Sequence, residues 1–211
     1  MERAHAGHYF EGRPSSRSRP RAVSLALPDL TLDLRSDRGV FAADGVDPGT
    51  RFLLQEGPSS GDPAGDLLDL GCGYGPIAVT LARRHPDTPV WAVDVNERAV
   101  ELTRANAERN HAANVRALVA GDPATALAAG LPADLRFAAI WSNPPIRIGK
   151  AALHALLSGW LDRLAPDGHA HLVVHKHLGS DSLARWLTEQ GWPTTRRSSR
   201  AGYRLLDVAA S

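Results

Sequence analysis

Hydrophobic and polar positions follow two different patterns along the chain, and the change falls near residue 66. Residues 23–41 read VSLALPDLTLDLRSDRGVF. Leucines recur there at every second position on either side of a Pro-Asp pair, at Leu25, Leu27, Leu30, Leu32 and Leu34. A period of two interrupted by a turn signal is typical of two short strands in a hairpin. We therefore predict a β-hairpin in this part of the chain.

From residue 67 onward, short apolar runs alternate with longer segments of helical spacing. The apolar runs predict strands at residues 67–70, 89–95, 115–120, 135–142, 169–176 and 203–210. The segments between them predict helices at residues 75–85, 97–110, 149–166 and 180–191, the last two ending at Pro166 and Gly191. Strands separated by helices favour parallel pairing. We predict an α/β fold: a Rossmann-like, doubly wound, mostly parallel seven-stranded sheet with the hairpin as an N-terminal extension.

A segment rich in Gly, Ser, Pro and Asp separates the two patterns. It reads GPSSGDPAGD at residues 57–66, a composition typical of a boundary between structural units. The stretch RPSSRSRPR at residues 13–21 has the composition of an irregular strap. We therefore divide the chain into an N-terminal strap and hairpin extension, residues 1–56, and a main domain, residues 57–211.

Composition restricts the class of protein but does not identify it. Of the 211 residues, 43% are apolar and 22% are charged, which is ordinary for a soluble globular protein. No run of eighteen apolar residues predicts a membrane span, and the N-terminus has no apolar segment of a secretory signal. The single cysteine, Cys72, excludes an intrachain disulfide and suits a reducing compartment. We expect a cytoplasmic protein without a membrane partner.

The net charge of +1 conceals an uneven distribution. Residues 1–21 carry five Arg and two Glu, and residues 194–211 carry four Arg and one Asp. Each end is therefore positive, while the middle of the chain is negative. Such asymmetry suggests an anionic partner at the ends, although solvated ends explain it equally well.

A glycine-rich loop follows the first strand of the main domain. The sequence LLDLGCGYG breaks into Gly71, Gly73 and Gly75 immediately before a predicted helix, where glycines permit a sharp turn and a close approach to a ligand. Asp94 ends the next strand, about twenty residues further on, where an acidic side chain can accept hydrogen bonds from ribose hydroxyls. A plain tight turn and a cap for the helix near Glu97 are the alternatives. Together the loop and the acid favour a cofactor that contains adenosine.

The spacing of this loop argues against a dinucleotide. The interval between its glycines is one residue shorter than in the dinucleotide fingerprint, and Asp69 stands two residues before the first glycine. A carboxylate in that position would repel a pyrophosphate, but it suits a ligand that carries an ammonium or a sulfonium charge. S-adenosyl-L-methionine (SAM) carries both, so we predict SAM as the cofactor.

Three segments resemble a known family. DLGCGYGPIAVTLA, AVDVNERAVELTRANAERN and SNPPIRIGK resemble class I SAM-dependent methyltransferases of the small-domain type. More narrowly, they resemble the bacterial 16S rRNA (guanine-N2) methyltransferases in a single-domain form. HYF at residues 8–10 with Pro14-Ser15 is similar to the family's N-terminal strap, residues 36–54 to its lead-in, and residues 200–208 to its final strand. The resemblance covers most of residues 8–208 and implies that residues 57–211 form the SAM-binding methyltransferase domain.

The resemblance implies a set of cofactor-binding residues. Asp69 and the glycines would line the methionine part of SAM, Asp94 would hold the ribose, and Asp122 would contact the adenine amino group unless it only caps a helix. Gly49-Thr50 would close over the methionine end, whereas Cys72 is better suited to a small, buried, apolar role. The full set is Asp69, Gly71, Cys72, Gly73, Gly75, Asp94, Val95, Asn96, Asp122 and Asn143.

The motif Asn143-Pro144-Pro145-Ile146 is the candidate catalytic segment. An exocyclic amine on a purine is a poor nucleophile because its lone pair is delocalised into the ring. Two acceptors, the side-chain carbonyl of Asn143 and the main-chain carbonyl of Pro144, would hold its two hydrogens and direct the lone pair at the methyl group. The prolines would keep these oxygens fixed, and no strong base is required. The alternative is a turn that merely ends a strand.

The fourth position of this motif bears on the acceptor. Relatives often have an aromatic residue there, and Ile146 offers no aromatic stacking, which makes a protein glutamine a less suitable acceptor. Arg147 and Lys150 would meet phosphates beside a flipped base, although Lys150 equally suits the start of a helix. Lys176 or His175, at the end of its strand, would face the substrate cleft. The predicted partner is ribosomal RNA or a 30S particle, and the protein is expected to be a monomer or a homodimer.

The functional hypotheses come from different classes. The first is a SAM-dependent N-methyltransferase that modifies the exocyclic N2 amine of a guanine in ribosomal RNA, expected to be 16S rRNA. The second keeps the enzyme and changes the acceptor to a protein glutamine or a small molecule. The third is a catalytically idle RNA-binding or ribosome-assembly protein, although the joint presence of the glycine loop, Asp94 and Asn143-Pro144 argues against it.

A row of histidines does not predict a metal site. The four residues share one face of a strand by their period of two, at His169, His171, His175 and His177. Neighbours two apart on a strand are separated by about 7 Å and diverge, whereas metal ligands must converge. We predict no metal.

Overall fold

The computed structural model describes residues 17–58 and 63–211. The predicted strap motif at residues 8–15 lies outside the described residues. Strands β1 (Arg21–Ala26) and β2 (Thr31–Ser36) pair antiparallel, with Leu25 opposite Leu32. Both leucines are buried, so the predicted hairpin is confirmed together with its inward face.

The main sheet has seven strands, as predicted. They are β3 (Leu67–Leu70), β4 (Val90–Asp94), β5 (Val115–Val119), β6 (Phe137–Ser142), β7 (Leu164–His175), β8 (Thr194–Arg200) and β9 (Tyr203–Ala209). Their order is β5-β4-β3-β6-β7-β9-β8. Strands β3 to β7 pair in parallel, and β9 lies antiparallel between β7 and β8. The Rossmann-like, mostly parallel sheet is therefore confirmed.

Six α-helices accompany these strands in the described part of the chain. They are α1 (Pro48–Glu56), α2 (Pro76–Arg84), α3 (Glu97–Arg109), α4 (Pro123–Ala128), α5 (Lys150–Leu161) and α6 (Ser180–Glu189). Short 3₁₀ segments occupy Ile146–Ile148 and Lys176–Leu178. The hydrophobic pattern predicted neither α1 nor α4, because α1 begins in a turn-like Asp-Pro-Gly sequence and α4 has only six residues.

The boundary between α5 and β7 differs from the prediction. The helix expected to stop at Pro166 ends at Leu161, and Pro166 lies inside β7. The pairing of β6 with β7 shifts register here, because Phe137 faces Leu164 whereas Ala139 faces His169. A proline lacks the donor for a regular ladder and is tolerated at such an irregularity.

Helices cover both faces of the sheet. One hydrophobic core joins the hairpin, α1, α2 and α3 to strand residues such as Leu67 and Leu205, and the other joins α5 and α6 to residues such as Leu68 and Leu206. Burial on both faces explains why the inner strands are continuous apolar runs. In the part of the chain that the structure describes, no helix is long and apolar enough to cross a bilayer. The division of the chain at residue 57 stays a prediction.

The topology also determines where a ligand can bind. Strand order reverses between β3 and β6, which lie side by side in the middle of the sheet. In doubly wound sheets the crevice at the carboxyl ends of the strands, at this reversal, is the usual ligand site. The glycine loop follows β3 and the Asn-Pro-Pro segment follows β6, so both lie at this edge.

Candidate active site

The glycine loop has the backbone conformation that its sequence predicts. Gly71, Gly73 and Gly75 have φ angles of 78°, 56° and 90°, in the left-handed region that favours glycine. A Cβ on Gly71 or Gly73 would meet no atom within 4 Å, whereas one on Gly75 would lie 3.0 Å from the side chain of Thr103. The first two glycines therefore border open space, and the third packs tightly against α3.

Asp69 is a buried carboxylate with one oxygen unused. Its side chain has no exposure, and its Oδ2 accepts a hydrogen bond of 2.9 Å from the backbone N–H of Ala78 in the first turn of α2. Its Oδ1 has no hydrogen-bond partner among the described residues. Burial, with a smaller contribution from the charge of Asp94, raises the pKa of Asp69 to about 8. Once the carboxyl group ionises, this oxygen can accept a hydrogen bond from a cationic donor.

Asp94 connects β4 to the glycine loop. Its Oδ2 accepts from the backbone N–H of Gly73 and its Oδ1 from that of Asn96, both at 2.9 Å. Burial raises the pKa of Asp94, and these backbone hydrogen bonds oppose the rise. The alternative role of Asp94 as a helix cap is wrong, because Asn96 is the N-cap of α3 and accepts from the N–H of Arg98. Each oxygen of Asp94 still has acceptor capacity, since a carboxylate offers about four lone-pair sites.

Three further predicted cofactor residues lie around this carboxylate and the end of β5. Asn96 is buried, and its amide donates to the carbonyl of Gly39 at 2.7 Å, which ties the lead-in segment to the site. Val95 is half-buried beside Gly121, where an added Cβ would lie 2.9 Å from its Cγ1. Asp122 is exposed and caps α4, accepting from the N–H of Thr125 at 2.8 Å. That cap was the alternative for Asp122, and its contact with adenine stays a prediction.

Asn143 lies beside the glycine loop because β6 is tied to β3 at its end. The hydroxyl of Ser142 donates to the carbonyl of Leu70 at 2.7 Å. The amide nitrogen of Asn143 donates to Oδ1 of Asp47 at 2.8 Å and to the hydroxyl of Thr50 at 3.0 Å. Residues from the loop, the lead-in and β6 line one crevice, namely Phe41, Ala42, Asp47, Thr50, Gly71, Cys72, Gly73, Tyr74, Pro76, Ile77 and Asn143.

Sequence reasoning missed several residues of this crevice, among them Asp47 and Phe41. Asp47 carries a cap signal that is readable in the sequence, Asp before Pro-Gly, but its contact with a residue 96 positions away is not. Phe41 is 51% exposed, although it is a large hydrophobic residue. An exposed aromatic side chain at the rim of a crevice is a signal that only the fold reveals.

The two prolines are followed by a compact turn. The carbonyl of Pro144 accepts the N–H of Ile146 at 2.8 Å, and that of Pro145 accepts the N–H of Ile148 at 3.1 Å. Ile146 and Ile148 are partly buried and pack against the core on the α5 and α6 side. The carbonyl of Pro144 keeps a second lone pair, because a carbonyl oxygen has two.

A family model described as methyltransferase small domain matches residues 31–206. The chain belongs to this family. Membership confirms the predicted type of enzyme, a methyltransferase, and its predicted cofactor, SAM.

Relatives of this methyltransferase include one of similar length. An uncharacterized protein, YbxB of Bacillus subtilis (strain 168), is 35% identical over 199 residues, which cover 94% of this chain and 96% of YbxB. The ribosomal RNA small subunit methyltransferase C of Pseudomonas aeruginosa (strain LESB58) is 34% identical over 169 residues, 78% of this chain and 48% of that protein. The ribosomal RNA large subunit methyltransferase G of Shewanella sp. (strain W3-18-1) is 31% identical, with 80% and 44% covered.

A solved structure of a ribosomal RNA methyltransferase is also similar to this chain. The 16S rRNA N2 G1207 methyltransferase (RsmC) of T. thermophilus, in complex with AdoMet and guanosine, has a TM-score of 0.76 and 26% identity. The match covers 94% of this methyltransferase and 52% of that chain. This methyltransferase thus spans about half the length of the ribosomal RNA methyltransferases it matches.

The residues in and behind the crevice fit SAM. The buried Asp69 has an unused acceptor, Oδ1, of the kind that an ammonium group requires, and the open space beside Gly71 and Gly73 admits a ligand against the backbone. Asp94 lies where a ribose would be held. Cys72 is buried, and burial raises the pKa of its thiol, which suits a small apolar role in the loop. Its contact with the cofactor stays a prediction.

The three predicted RNA-contacting cations of the methyltransferase are exposed. Arg147 follows β6, Lys150 begins α5, and Lys176 follows β7, so all three lie at the carboxyl edge of the sheet. None of them forms an ion pair with a residue in the described ranges. The start of a helix was the alternative role for Lys150, and RNA contact stays a prediction for all three.

The histidines of β7 have other partners. The expected row on one face is interrupted, because His177 lies in the 3₁₀ segment beyond the strand. His171 shares a hydrogen bond of 2.8 Å with Oδ1 of Asp207, whose Oδ2 accepts from Arg197 at 2.6 Å. Across residues 17–58 and 63–211, no group of three or more His, Cys, Asp or Glu side chains is arranged for a metal ion.

Proposed function

We propose that this methyltransferase modifies the exocyclic N2 amine of a guanine in ribosomal RNA, with 16S rRNA as the target. The observation that carries the proposal is the state of Asn143. Its amide nitrogen is held by Asp47 and Thr50, which leaves its oxygen as the free acceptor at the crevice. An acceptor of this kind suits an amine that must be held by its hydrogens.

The relatives support the choice of acceptor. Two of them are named as methyltransferases of ribosomal RNA, and the solved structure is a guanine-N2 enzyme in complex with guanosine. Because this chain spans about half of those proteins, their target comes to it only as a proposal.

The chemistry proposed for the chain is mainly positioning. The oxygens of Asn143 and Pro144 would accept the two hydrogens of the amine and direct its lone pair toward the methyl group. When bound, SAM supplies a methyl group that its sulfonium already activates. The amine proton becomes acidic only as the new bond forms, so water can remove it and no strong base is needed.

Binding of the cofactor would rest on acidic residues at or just beyond the carboxyl ends of three neighbouring strands, β3, β4 and β5. Asp69 would accept from the ammonium group, Asp94 from the ribose hydroxyls and Asp122 from the adenine amino group. Asp69 and Asp94 are each fixed by backbone hydrogen bonds, so they would need little reorganisation on binding.

An exposed aromatic residue favours a planar acceptor. Phe41 borders the crevice and offers a flat apolar face that Ile146, packed against the core, does not. Aromatic faces stack on nucleobases with a favourable energy of about 1–3 kcal/mol per base. The exposed cations Arg147, Lys150 and Lys176 would contact phosphates beside a base that leaves its stack.

The decisive experiment compares acceptors. Labelled SAM is incubated with unmodified 30S particles, free ribosomal RNA and a protein extract, using wild type and Asn143→Ala. We expect label in RNA with wild type only, in N2-methylguanosine after digestion.

Calorimetry should show that Asn143→Ala binds SAM nearly as wild type does, whereas Asp94→Ala binds it much more weakly. Label in protein alone would show that the acceptor is a protein and not RNA.

A further inference from the structure

We infer that Asp47 is a positioning residue: it fixes the orientation of the Asn143 amide so that oxygen, and not nitrogen, faces the reacting amine. The inference rests on the proposed function and adds to it a residue outside the Asn-Pro-Pro segment. It also assigns a role in the active site to the N-terminus of α1, which precedes the SAM loop in sequence.

The chemistry of the carboxylate determines which end of the amide faces it. An ionised carboxylate only accepts hydrogen bonds, so the atom of Asn143 at 2.8 Å from Oδ1 of Asp47 must be the donating nitrogen. The hydroxyl of Thr50 accepts the second hydrogen of the same nitrogen at 3.0 Å. With both hydrogens bound, the amide oxygen necessarily points the other way.

Without such partners an asparagine could present either end. The two ends of the amide have nearly the same shape, and a rotation of the terminal torsion exchanges them. The reversed amide would direct its two hydrogens at the substrate amine, which itself needs acceptors. It would also place two oxygens in contact at Asp47. The carboxylate therefore selects the productive orientation and disfavours the other.

Asp47 can do this because it is itself fixed. The same Oδ1 caps α1, accepting from the N–H groups of Gly49 at 2.8 Å and Thr50 at 3.1 Å. Helix α1 is anchored in the core by three buried side chains, Phe52, Leu53 and Leu54. One oxygen thus joins the start of a packed helix to the end of β6, and the geometry at Asn143 follows from core packing.

The arrangement also explains the glycine at position 49. A Cβ there would lie 2.6 Å from the ring of Tyr203 and 2.9 Å from Oδ1 of Asp47. Only glycine lets the helix start close to both the tyrosine and its capping carboxylate. The start of α1 is therefore confined between the ring of Tyr203 and the carboxylate of Asp47.

Three variants distinguish the hydrogen bond between Asn143 and Asp47 from the capping of α1 by Asp47. Asp47→Asn keeps an Oδ1 that can accept from the amide of Asn143 and from the N–H groups at the start of α1. We expect its kcat to be within about threefold of wild type. Asp47→Ser keeps a good N-cap, but its shorter side chain withdraws from Asn143. We expect kcat to fall about tenfold, the factor of one hydrogen bond to a charged group, with SAM affinity within about threefold of wild type. Thr50→Val should have a smaller effect in the same direction.

Asp44→Ser is the matched control. Asp44 lies in the same lead-in segment, its side chain is 83% exposed, and it pairs with Arg21 and not with the crevice. We expect it to leave kcat and SAM affinity unchanged. A fall in kcat of equal size in Asp44→Ser would overturn the inference, and so would a wild-type kcat in Asp47→Ser.

A second measurement needs no substrate. In protein labelled with ¹⁵N-asparagine, the side-chain NH₂ signals of Asn143 are those missing from Asn143→Ala. We expect their exchange with water to be slow in wild type and at least about tenfold faster in Asp47→Ser. Equally fast exchange in both proteins would overturn the inference even if the RNA is methylated. If instead the amide is protected by Asp47 but no RNA accepts a methyl group, the proposed acceptor fails and the orientation of the amide is supported.

Discussion

Asn106 in α3 binds the backbone of Arg35 in β2 through both ends of its side-chain amide. Its Oδ1 accepts from the N–H of Arg35 at 2.7 Å, and its Nδ2 donates to the carbonyl of the same residue at 2.8 Å. The nitrogen also donates to the carbonyl of Tyr74 in the glycine loop at 2.7 Å. One buried side chain therefore joins the hairpin, α3 and the cofactor loop.

Asn106→Ala should be among the most destabilising single substitutions outside the apolar core. It leaves three backbone groups without their partner, the buried carbonyl of Tyr74 and the partly buried N–H and carbonyl of Arg35, at about 1 kcal/mol each, so we expect the free energy of unfolding to fall by about 3 kcal/mol. Urea denaturation measures this. Glu108→Ala, an exposed position of the same helix, is the control and should change stability by less than about 0.5 kcal/mol. Equal stability of the two variants would show that the amide contacts contribute little.

The raised pKa of Asp69 predicts that SAM binding releases a proton. Burial keeps much of this carboxyl protonated at pH 7, because its pKa is about 8, and a bound cation favours the ionised form. Calorimetry at pH 7 in two buffers of different ionisation enthalpy should show the release of about half to one proton per SAM. The same titration of Asp69→Asn at pH 7 should release almost none. A release that persists in Asp69→Asn would assign the proton to another group.

The same group makes the stability of the free protein depend on pH. The pKa of Asp69 is higher in the folded chain than its ordinary value of 3.8, so the folded chain binds more protons between these pH values. Its contribution is therefore complete below about pH 4 and is lost as the pH rises to about 8. Relative to Asp69→Asn, wild type should become less stable across this window in urea denaturation. A constant difference between the two proteins would contradict the raised pKa.

Asp207 should have the opposite dependence. Burial tends to raise the pKa of its carboxyl, but hydrogen bonds from His171 and Arg197 outweigh burial and hold it below its usual value. A lowered pKa stabilises the fold above the ordinary value of 3.8, and the contribution is lost as the pH falls through the folded value. We expect Asp207→Asn to cost about 1 kcal/mol at pH 7 and less below pH 4, whereas Asp167→Asn, an exposed acid, should cost nothing. A cost that does not change with pH would mean that packing, not charge, is lost.

The sequence predicts those parts of the fold whose signal is local. The alternating leucines predicted the hairpin, and the apolar runs predicted six of the seven strands of the main sheet. The seventh, β8, reads TTRRSSR and has no apolar face, because it is an edge strand that the core does not cover. Its pairing with β9 is a long-range property that periodicity does not contain.

The candidate site was likewise predictable only where its signal is local in the sequence. Motifs located the glycine loop, Asp94 and Asn143, and the parallel order of β3 and β6 brings them to one edge. The partner of Asn143 was not readable, because Asp47 has only a cap signal in sequence and its second contact depends on how α1 packs. Pro166 misled for a related reason: the break it signals lies inside an irregular strand and not at the end of a helix.

The first and third glycines of the loop should differ in what an alanine costs. At Gly71 an added Cβ projects into open space and obstructs the crevice. Gly71→Ala should therefore lower the free energy of unfolding by only about 1 kcal/mol, because alanine disfavours the left-handed conformation. At Gly75 the Cβ would also press on Thr103, including its Cα at 3.2 Å, so we expect a loss of about 3 kcal/mol. Urea denaturation and SAM calorimetry together measure both effects.

Gly71→Ala should weaken SAM binding by about tenfold or more, because the added methyl group would occupy space that the ligand needs. The protein should stay folded. Gly75→Ala combined with Thr103→Ala should recover part of the lost stability, because the two side-chain atoms nearest the added Cβ, Oγ1 and Cγ2 of Thr103, are removed. The recovery will be incomplete, since the backbone of Thr103 stays close and the hydroxyl that donates to the carbonyl of Gly73 at 3.0 Å is lost. If the two glycine variants lost the same stability and the same affinity, the distinction between a glycine that borders the ligand and one that packs on a helix would be wrong.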